Sequence, residues 1–276
     1  MQSQSSLSPI AKTIHSLKLF RRFVLYSYQK SRFPKPKVND DQLFPFVKTL
    51  RQQGYVQLKP DETVHHLPAA KNLLQVYEKL GESSMEDIIE ADKKNAKPMY
   101  RKNLTPLFDR DLLLEYASSP FLIENIQQYF GFKPHLRYIG VWLDHPTKDG
   151  AISTQLFHRD PEDLHLVKTF LYLKNVSEEN GPFCFVTGSH RDPWNSFSKI
   201  VHSDEDIAQL YSNSSVKKLS GPAGSLIMAD TNGFHKGLKP VAGYRVLLTV
   251  YFSSDRPRDG HLDDIFEPRQ AVPVLY

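Results

Sequence analysis

From residue 135 onward the apolar residues of this chain stop recurring every three or four positions and gather into short runs. Segments 136–143, 167–173, 183–186, 225–229 and 245–252 are rich in Val, Ile, Leu, Tyr, Phe and Thr. Turn-forming pairs and triplets separate them: Asp149-Gly150, Asn180-Gly181-Pro182, Gly221-Pro222, Asn232-Gly233 and Ala242-Gly243. β-Branched and aromatic side chains suit a pleated surface, and Gly, Asn and Pro supply the backbone angles that tight turns need. Several short strands at such spacing predict a β-sandwich or jelly roll.

The preceding segment follows another rule. Asp40-Asp41 ahead of Leu43, Phe46, Val47 and Leu50 predicts a capped helix that Gly54 breaks, and 55–58 reads as a short strand. Stretches 67–80 and 110–130 have helical spacing, the second with a bend at Pro120, while 82–97 is polar and carries no clear period. The expectation is therefore an α+β chain with a mainly β core. Helical support over 39–133 would flank a jelly-roll core over 135–255, with a tail at 256–276, all in one domain. A chain of 276 residues can bury a sufficient core without covalent staples.

Ahead of that domain, residues 1–38 hold eight Lys and Arg and no Asp or Glu. Ile10, Ile14, Leu17, Val24 and Tyr28 share one helical face, although Leu19, Phe23 and Tyr26 sit among the basic residues. Two readings fit: a helix packed on the domain, or a basic amphipathic helix touching an anionic membrane surface through residues 9–33. Pro34-Lys35-Pro36 ends the segment. No apolar run approaches the roughly 18 residues of a membrane span. The lone Cys184 excludes a disulfide framework and a cysteine-rich metal site, and it points to a reducing, cytoplasmic compartment. With 35 basic against 31 acidic residues, the net charge of +4 gives no reason to expect nucleic-acid binding.

Chemistry has to come from the histidines, of which there are 11. Two imidazoles and one carboxylate can grip a metal on one side and leave its other positions open, an arrangement suited to non-haem Fe(II). Alternate residues of a strand point the same way, so His-x-Asp makes a natural pincer at a strand end. Four such triplets occur where about one is expected by chance: His158/Asp160, His190/Asp192, His202/Asp204 and His261/Asp263. His261 has no later histidine, and His202 has no strand pattern before it. His190 precedes Pro193 and a polar loop, with little strand pattern between it and His235. His158 has strand candidates on both sides and stands 77 residues before His235, which follows a strand and an Asn-Gly turn. His158, Asp160 and His235 are the set best placed to converge. Ten residues on, Arg245 opens an apolar strand. A guanidinium there needs an anion, either a bound carboxylate or a structural acidic partner.

The segments around these residues are recognisable. Phe157-His-Arg-Asp-Pro-Glu-Asp, Lys168-Thr-Phe-Leu-Tyr-Leu, Asn180-Gly-Pro-Phe and Val186-Thr-Gly-Ser-His190 occur in order. Gly224-Ser-Leu-Ile-Met-Ala-Asp, Gly233-Phe-His235-Lys-Gly and Tyr244-Arg245 follow them. Together, over about 135–255, they resemble the phytanoyl-CoA dioxygenase-like family. That resemblance implies a double-stranded β-helix of the cupin type and an Fe(II)- and 2-oxoglutarate-dependent oxygenase using O2 as co-substrate. It implies that His158, Asp160 and His235 hold iron and that Arg245 takes the far carboxylate of 2-oxoglutarate. His190, in the Gly-Ser-His segment, is then structural. With Asp160 present, hydroxylation, desaturation or a related C–H oxidation is favoured over halogenation, which needs a small residue there.

Other residues fall near this expected site. Thr169 and Tyr172 are candidates for cofactor contact, and Gln155, Phe157, Tyr138 and Trp142 for substrate contact. Strand aromatics serve equally well as plain core. His165 could turn toward the site but reads better as a residue outside the ligand set; Arg137 and Lys168 could pair an acidic substrate but read better as solvated strand residues; Cys184 reads as inert packing. The expected product is an oxidised small organic or lipid-like molecule, with succinate and CO2 released, from a monomer or weak homodimer. Two alternatives stand beside it: a non-catalytic metal- or ligand-binding jelly roll, and a peripheral membrane protein working through its basic first segment.

Overall fold

In the computed structural model the structure describes residues 42–95, 100–160, 163, 165–192, 201–254 and 263–266. The basic segment 1–38, with the membrane-surface reading for 9–33, lies outside the described residues, as does most of the tail 256–276 including His261.

The chain starts with helix α1 (Pro45–Gln53), strand β1 (Tyr55–Leu58) and helices α2 (Pro60–His66) and α3 (Pro68–Lys93). Helix α1 has Pro in its first turn and Phe44 as N-cap with no side-chain cap, so the expected aspartate cap is not what starts it. It ends at Gly54 (φ 88), where an added Cβ would lie 2.4 Å from His190 Nδ1. Both the left-handed angle and the close approach demand glycine. Helix α3 is interrupted at Gly81 and runs on through much of the polar stretch, because Met85 and Ile89 still bury one stripe.

Strand β2 (Arg101–Asn103) follows, then α4 (Arg110–Ala117) and α5 (Pro120–Phe130). The expected bent helix is two helices. Asp109 accepts from the Leu112 N–H at one start, Ser119 from the Leu122 N–H at the next, and Pro120 opens the second.

The strand-rich half contains β3 (His135–Asp144), β4 (Phe157–His158), β5 (Leu166–Tyr172), β6 (Phe183–Val186) and β7 (Val201–His202). Helix α6 (Asp204–Leu210), β8 (Val216–Leu219), β9 (Leu226–Asp230), β10 (His235–Gly237), β11 (Arg245–Ser253) and α7 (Asp263–Phe266) complete it. Two antiparallel sheets result: a large one in the order β1-β9-β5-β11-β3-β2 and a small one in the order β7-β4-β10-β6-β8. Strands β7 and β8 were not expected. Val201–His202 is only two residues long, and β8 is an edge strand whose Lys217 and Lys218 are exposed.

Alternation along the strands sorts the side chains. On one face of the large sheet Val141, Leu143, Val167, Leu171, Met228, Val246, Leu248, Val250 and Phe252 join a cluster with Leu50, Leu73, Leu113, Tyr116 and Ile126 of the helices. That shared cluster is why the helices and the sheet act as one support. On the other face, Phe170, Tyr172, Ile227, Ala229 and Leu247 meet Phe183, Phe185 and Leu219 of the small sheet. The space between the sheets is therefore lined by alternate residues only, and parity decides which side chains can reach it. Among the described residues no helix is long and apolar enough to cross a membrane.

Candidate metal centre between the two sheets

His158 ends β4 and His235 begins β10, and the two are direct cross-strand partners. Partners in an antiparallel pair point to the same face, so both rings enter the space between the sheets, 4.2 Å apart by centroid. Asp160 lies two residues past His158, and its N–H donates to the Thr231 carbonyl at 3.0 Å, which ties the loop after β4 to the turn before β10. The side chain of Arg159, between the two, reaches the other way. It donates to the carbonyls of Asn232 (2.6 Å) and Asp192 (2.7 Å) and lies 4.0 Å over the ring of Phe234. One residue thus fastens the pincer to the loop that carries the distal histidine.

Ligand atoms of His158, Asp160 and His235 all lie within 4.8 Å of one another. Nδ1 of His158 stands 2.8 Å from the Leu156 carbonyl, and Nδ1 of His235 stands 2.9 Å from the Gly233 carbonyl. A carbonyl can only accept, so each Nδ1 carries the proton and each Nε2 keeps its lone pair. Those Nε2 atoms face the carboxylate: His158 Nε2 is 3.8 Å from Asp160 Oδ1, and His235 Nε2 is 3.6 Å from Oδ2. Burial, reinforced by neighbouring His158, pushes the His235 pKa down to about 3, and burial also lowers that of His158. Burial opposes ionisation of Asp160, yet the Lys168 ammonium beside it holds its pKa well below the usual carboxylate range. Two neutral imidazoles and one ionised carboxylate form a donor set suited to a divalent cation without proton release.

Lys168, read from the sequence as solvated, instead stands on the inner face of β5 with Nζ 2.7 Å from Asp160 Oδ2. Against Gly237 of β10, two residues past His235, Arg245 joins Asp144 and Arg101 in one cross-strand row. Arg245 donates from Nε (2.8 Å) and Nη2 (2.6 Å) to Asp144 Oδ2, and from Nη1 to the Leu238 carbonyl at 3.3 Å. Arg101 donates to both oxygens of the same aspartate, at 2.6 and 2.9 Å. Arg245 thus has an acidic partner inside the protein, and two guanidinium groups share one carboxylate. Burial would raise the Asp144 pKa, but Arg101 and Arg245 bring it down to about 2.

Two sequence expectations fail on parity. Thr169 is fully buried on the helix side of β5, between Val167 and Leu171, and cannot touch a cofactor held between the sheets. Phe157 points away from the inner space on β4 and packs with Cys184, Val186, Ile207 and Phe234, so it does not line a substrate site there. Tyr172 is on the inner side, but its hydroxyl donates to the Leu219 carbonyl (2.8 Å) and accepts from the Phe183 N–H (3.0 Å), bracing the sheets together. Gln155 is buried in the 3-10 turn before β4, with Oε1 accepting from the Ile152 N–H.

Tyr138 and Trp142 do share the inner face, half-buried and stacked at 6.4 Å, with Arg101 5.5 Å over the indole. His165 packs edge-on against Phe130 and Phe132 among the helices. His190 lies away from the triad, its Nε2 3.0 Å from the Arg51 carbonyl at the end of α1. Burial raises the Cys184 thiol to a pKa of about 11, which fits inert packing.

No family model and no curated protein matches the sequence. Among solved structures the fold is similar to that of the non-haem α-ketoglutarate-dependent epimerase SnoN from nogalamycin biosynthesis. The match has a TM-score of 0.50 and 16% identity and covers 84% of this chain and 89% of that one. It is also similar to EctD from S. alaskensis, solved with 2-oxoglutarate and 5-hydroxyectoine (TM-score 0.50, 18% identity, 80% and 79% covered). EctD was also solved with bound Fe (TM-score 0.50, 17% identity, 82% and 83% covered). At these identities the likeness is one of fold: two antiparallel sheets backed by helices, as in enzymes that use iron and 2-oxoglutarate.

Proposed function

We propose that this chain is an Fe(II)- and 2-oxoglutarate-dependent oxygenase of the phytanoyl-CoA dioxygenase-like type, built on a double-stranded β-helix and oxidising a C–H bond of a small organic molecule. The observation that carries the reading is the convergence of His158, Asp160 and His235 from distant parts of the chain, with both Nδ1 protons committed to carbonyls and both Nε2 lone pairs facing one carboxylate. Bound iron and 2-oxoglutarate would supply the oxidation, consuming O2 and releasing succinate and CO2.

The residues divide the remaining work. Leu156 and Gly233 fix the imidazole tautomers through their carbonyls, and Arg159 holds the two ligand-bearing loops in register. Asp160 and His235 are buried between the facing sheets, which limits the access of water to them. We assign the far carboxylate of 2-oxoglutarate to the row of Arg101, Asp144 and Arg245, because two guanidinium groups against one carboxylate leave a surplus positive charge. Tyr138 and Trp142, on the same wall, are assigned to substrate contact.

The test needs no substrate. Anaerobic Fe(II) and 2-oxoglutarate should give purified protein the visible charge-transfer band of a chelated 2-oxo acid. The band should vanish in His158→Ala and His235→Ala variants that keep their circular dichroism. A folded wild-type protein without the band, or variants that retain it, would remove the reading.

A further inference from the structure

Lys168 occupies a position that the proposed reaction does not require. It lies on β5, flanked by β9 and β11 in the large sheet, so strand alternation confines its side chain to the space between the sheets. The wall opposite carries His158 and His235. Its ammonium is 2.7 Å from Asp160 Oδ2 and 5.2 Å from the ring of Tyr251, its register partner on β11. The lysine side chain is 20% exposed and the carboxylate 8%, so water screens this pair little.

We propose that Lys168 is a positioning residue for the metal centre: it engages one oxygen of Asp160, leaves the other for the metal, and competes with the metal for the carboxylate's charge. This rests on the reading of His158, Asp160 and His235 as ligands. With Oδ2 engaged by the ammonium, Oδ1, which faces His158 Nε2, is the oxygen available for coordination. Held through one aspartate oxygen and two imidazoles, the metal would keep its other positions open for a chelating 2-oxo acid and O2. An aspartate binding through both oxygens would close one of them. In the metal-free protein the same ammonium neutralises a buried carboxylate.

Competition gives the proposal a sign that a merely structural lysine would not produce. Removing the charge should destabilise the metal-free protein and yet strengthen metal binding, because a fixed cation no longer repels the incoming one. The experiment titrates chelator-stripped, full-length protein with Mn(II) by calorimetry and follows the melting of the metal-free protein. Lys168→Met and Lys168→Gln should bind Mn(II) on the order of tenfold more tightly than wild type and melt lower without metal. Lys168→Arg, which keeps the charge, should stay near wild type. Unchanged or weaker Mn(II) affinity in a folded Met or Gln variant overturns the proposal, and the Gln variant carries the test if the Met variant does not fold. Asp160→Ala separates the two levels. If wild type takes no Mn(II), or Asp160→Ala takes it equally well, the metal-centre reading itself falls. If Asp160→Ala loses Mn(II) while the lysine variants bind as wild type does, only the role of Lys168 falls.

Discussion

Replacing Asp144 by Asn tests how the inner end of the site is held. The carboxylate is fully buried and accepts four N–H bonds, two from Arg101 and two from Arg245, and Arg245 is itself only 2% exposed. Its pKa falls from 3.8 to about 2, which corresponds to about 2 kcal/mol of stability carried by the ionised form. The variant also leaves two guanidinium groups facing each other across a neutral amide, and loss of one partner of a buried ion pair costs about 3–5 kcal/mol. The expected loss at pH 7 is about 2–4 kcal/mol, read from urea denaturation.

The pH dependence follows from the direction of the shift. A carboxylate whose folded pKa lies below its unfolded one contributes fully above about pH 4. It loses that contribution as the pH falls through about 2. The gap between wild type and Asp144→Asn should therefore narrow as the pH is lowered across this window. A gap under about 0.5 kcal/mol at pH 7, or one that stays constant down to pH 2, would refute the reasoning.

Gly54→Ala should lower stability by about 2–3 kcal/mol in the same assay, because φ is 88 and the new Cβ would meet His190 and Phe185; an unchanged midpoint would contradict that. Thr169→Val should leave Mn(II) and 2-oxoglutarate affinity as in wild type, since the side chain faces the helices, and a folded variant that loses either would restore it to the site. Arg245→Gln should weaken 2-oxoglutarate binding to the Fe(II) protein by at least about tenfold, seen in the charge-transfer titration. Equal affinity would place the far carboxylate elsewhere.

Much of the strand half was readable because period-two runs and Gly-containing turns are local signals. Strands 55–58 and 183–186 have the expected bounds, and β11 is one residue longer than expected. The convergence of His158, Asp160 and His235 was readable for a related reason: a His-x-Asp pincer and a distal histidine each sit beside a recognisable strand or turn. The facing of Phe157 follows from that of His158, and the facing of Thr169 does not. Once His158 is taken to point inward, its strand neighbour Phe157 must point outward, whereas the facing of β5 depends on the sheet packing.

The charge row was not readable. Arg101 and Asp144 are 43 residues apart, and Asp144 and Arg245 are 101 apart; only the pairing of β2, β3 and β11 brings them together. Lys168 looked like an ordinary strand lysine because its partner lies in a loop whose path the sequence does not show. The helix through 82–93 was hidden by its polar surface, with only Met85, Ile88 and Ile89 packing on the core.

Anomalous diffraction from crystals grown anaerobically with Fe(II) decides whether the three side chains hold iron. One iron peak is expected between Nε2 of His158, Nε2 of His235 and a carboxylate oxygen of Asp160. An iron peak at any other place in the chain, or well-ordered crystals with none between those three side chains, would contradict it.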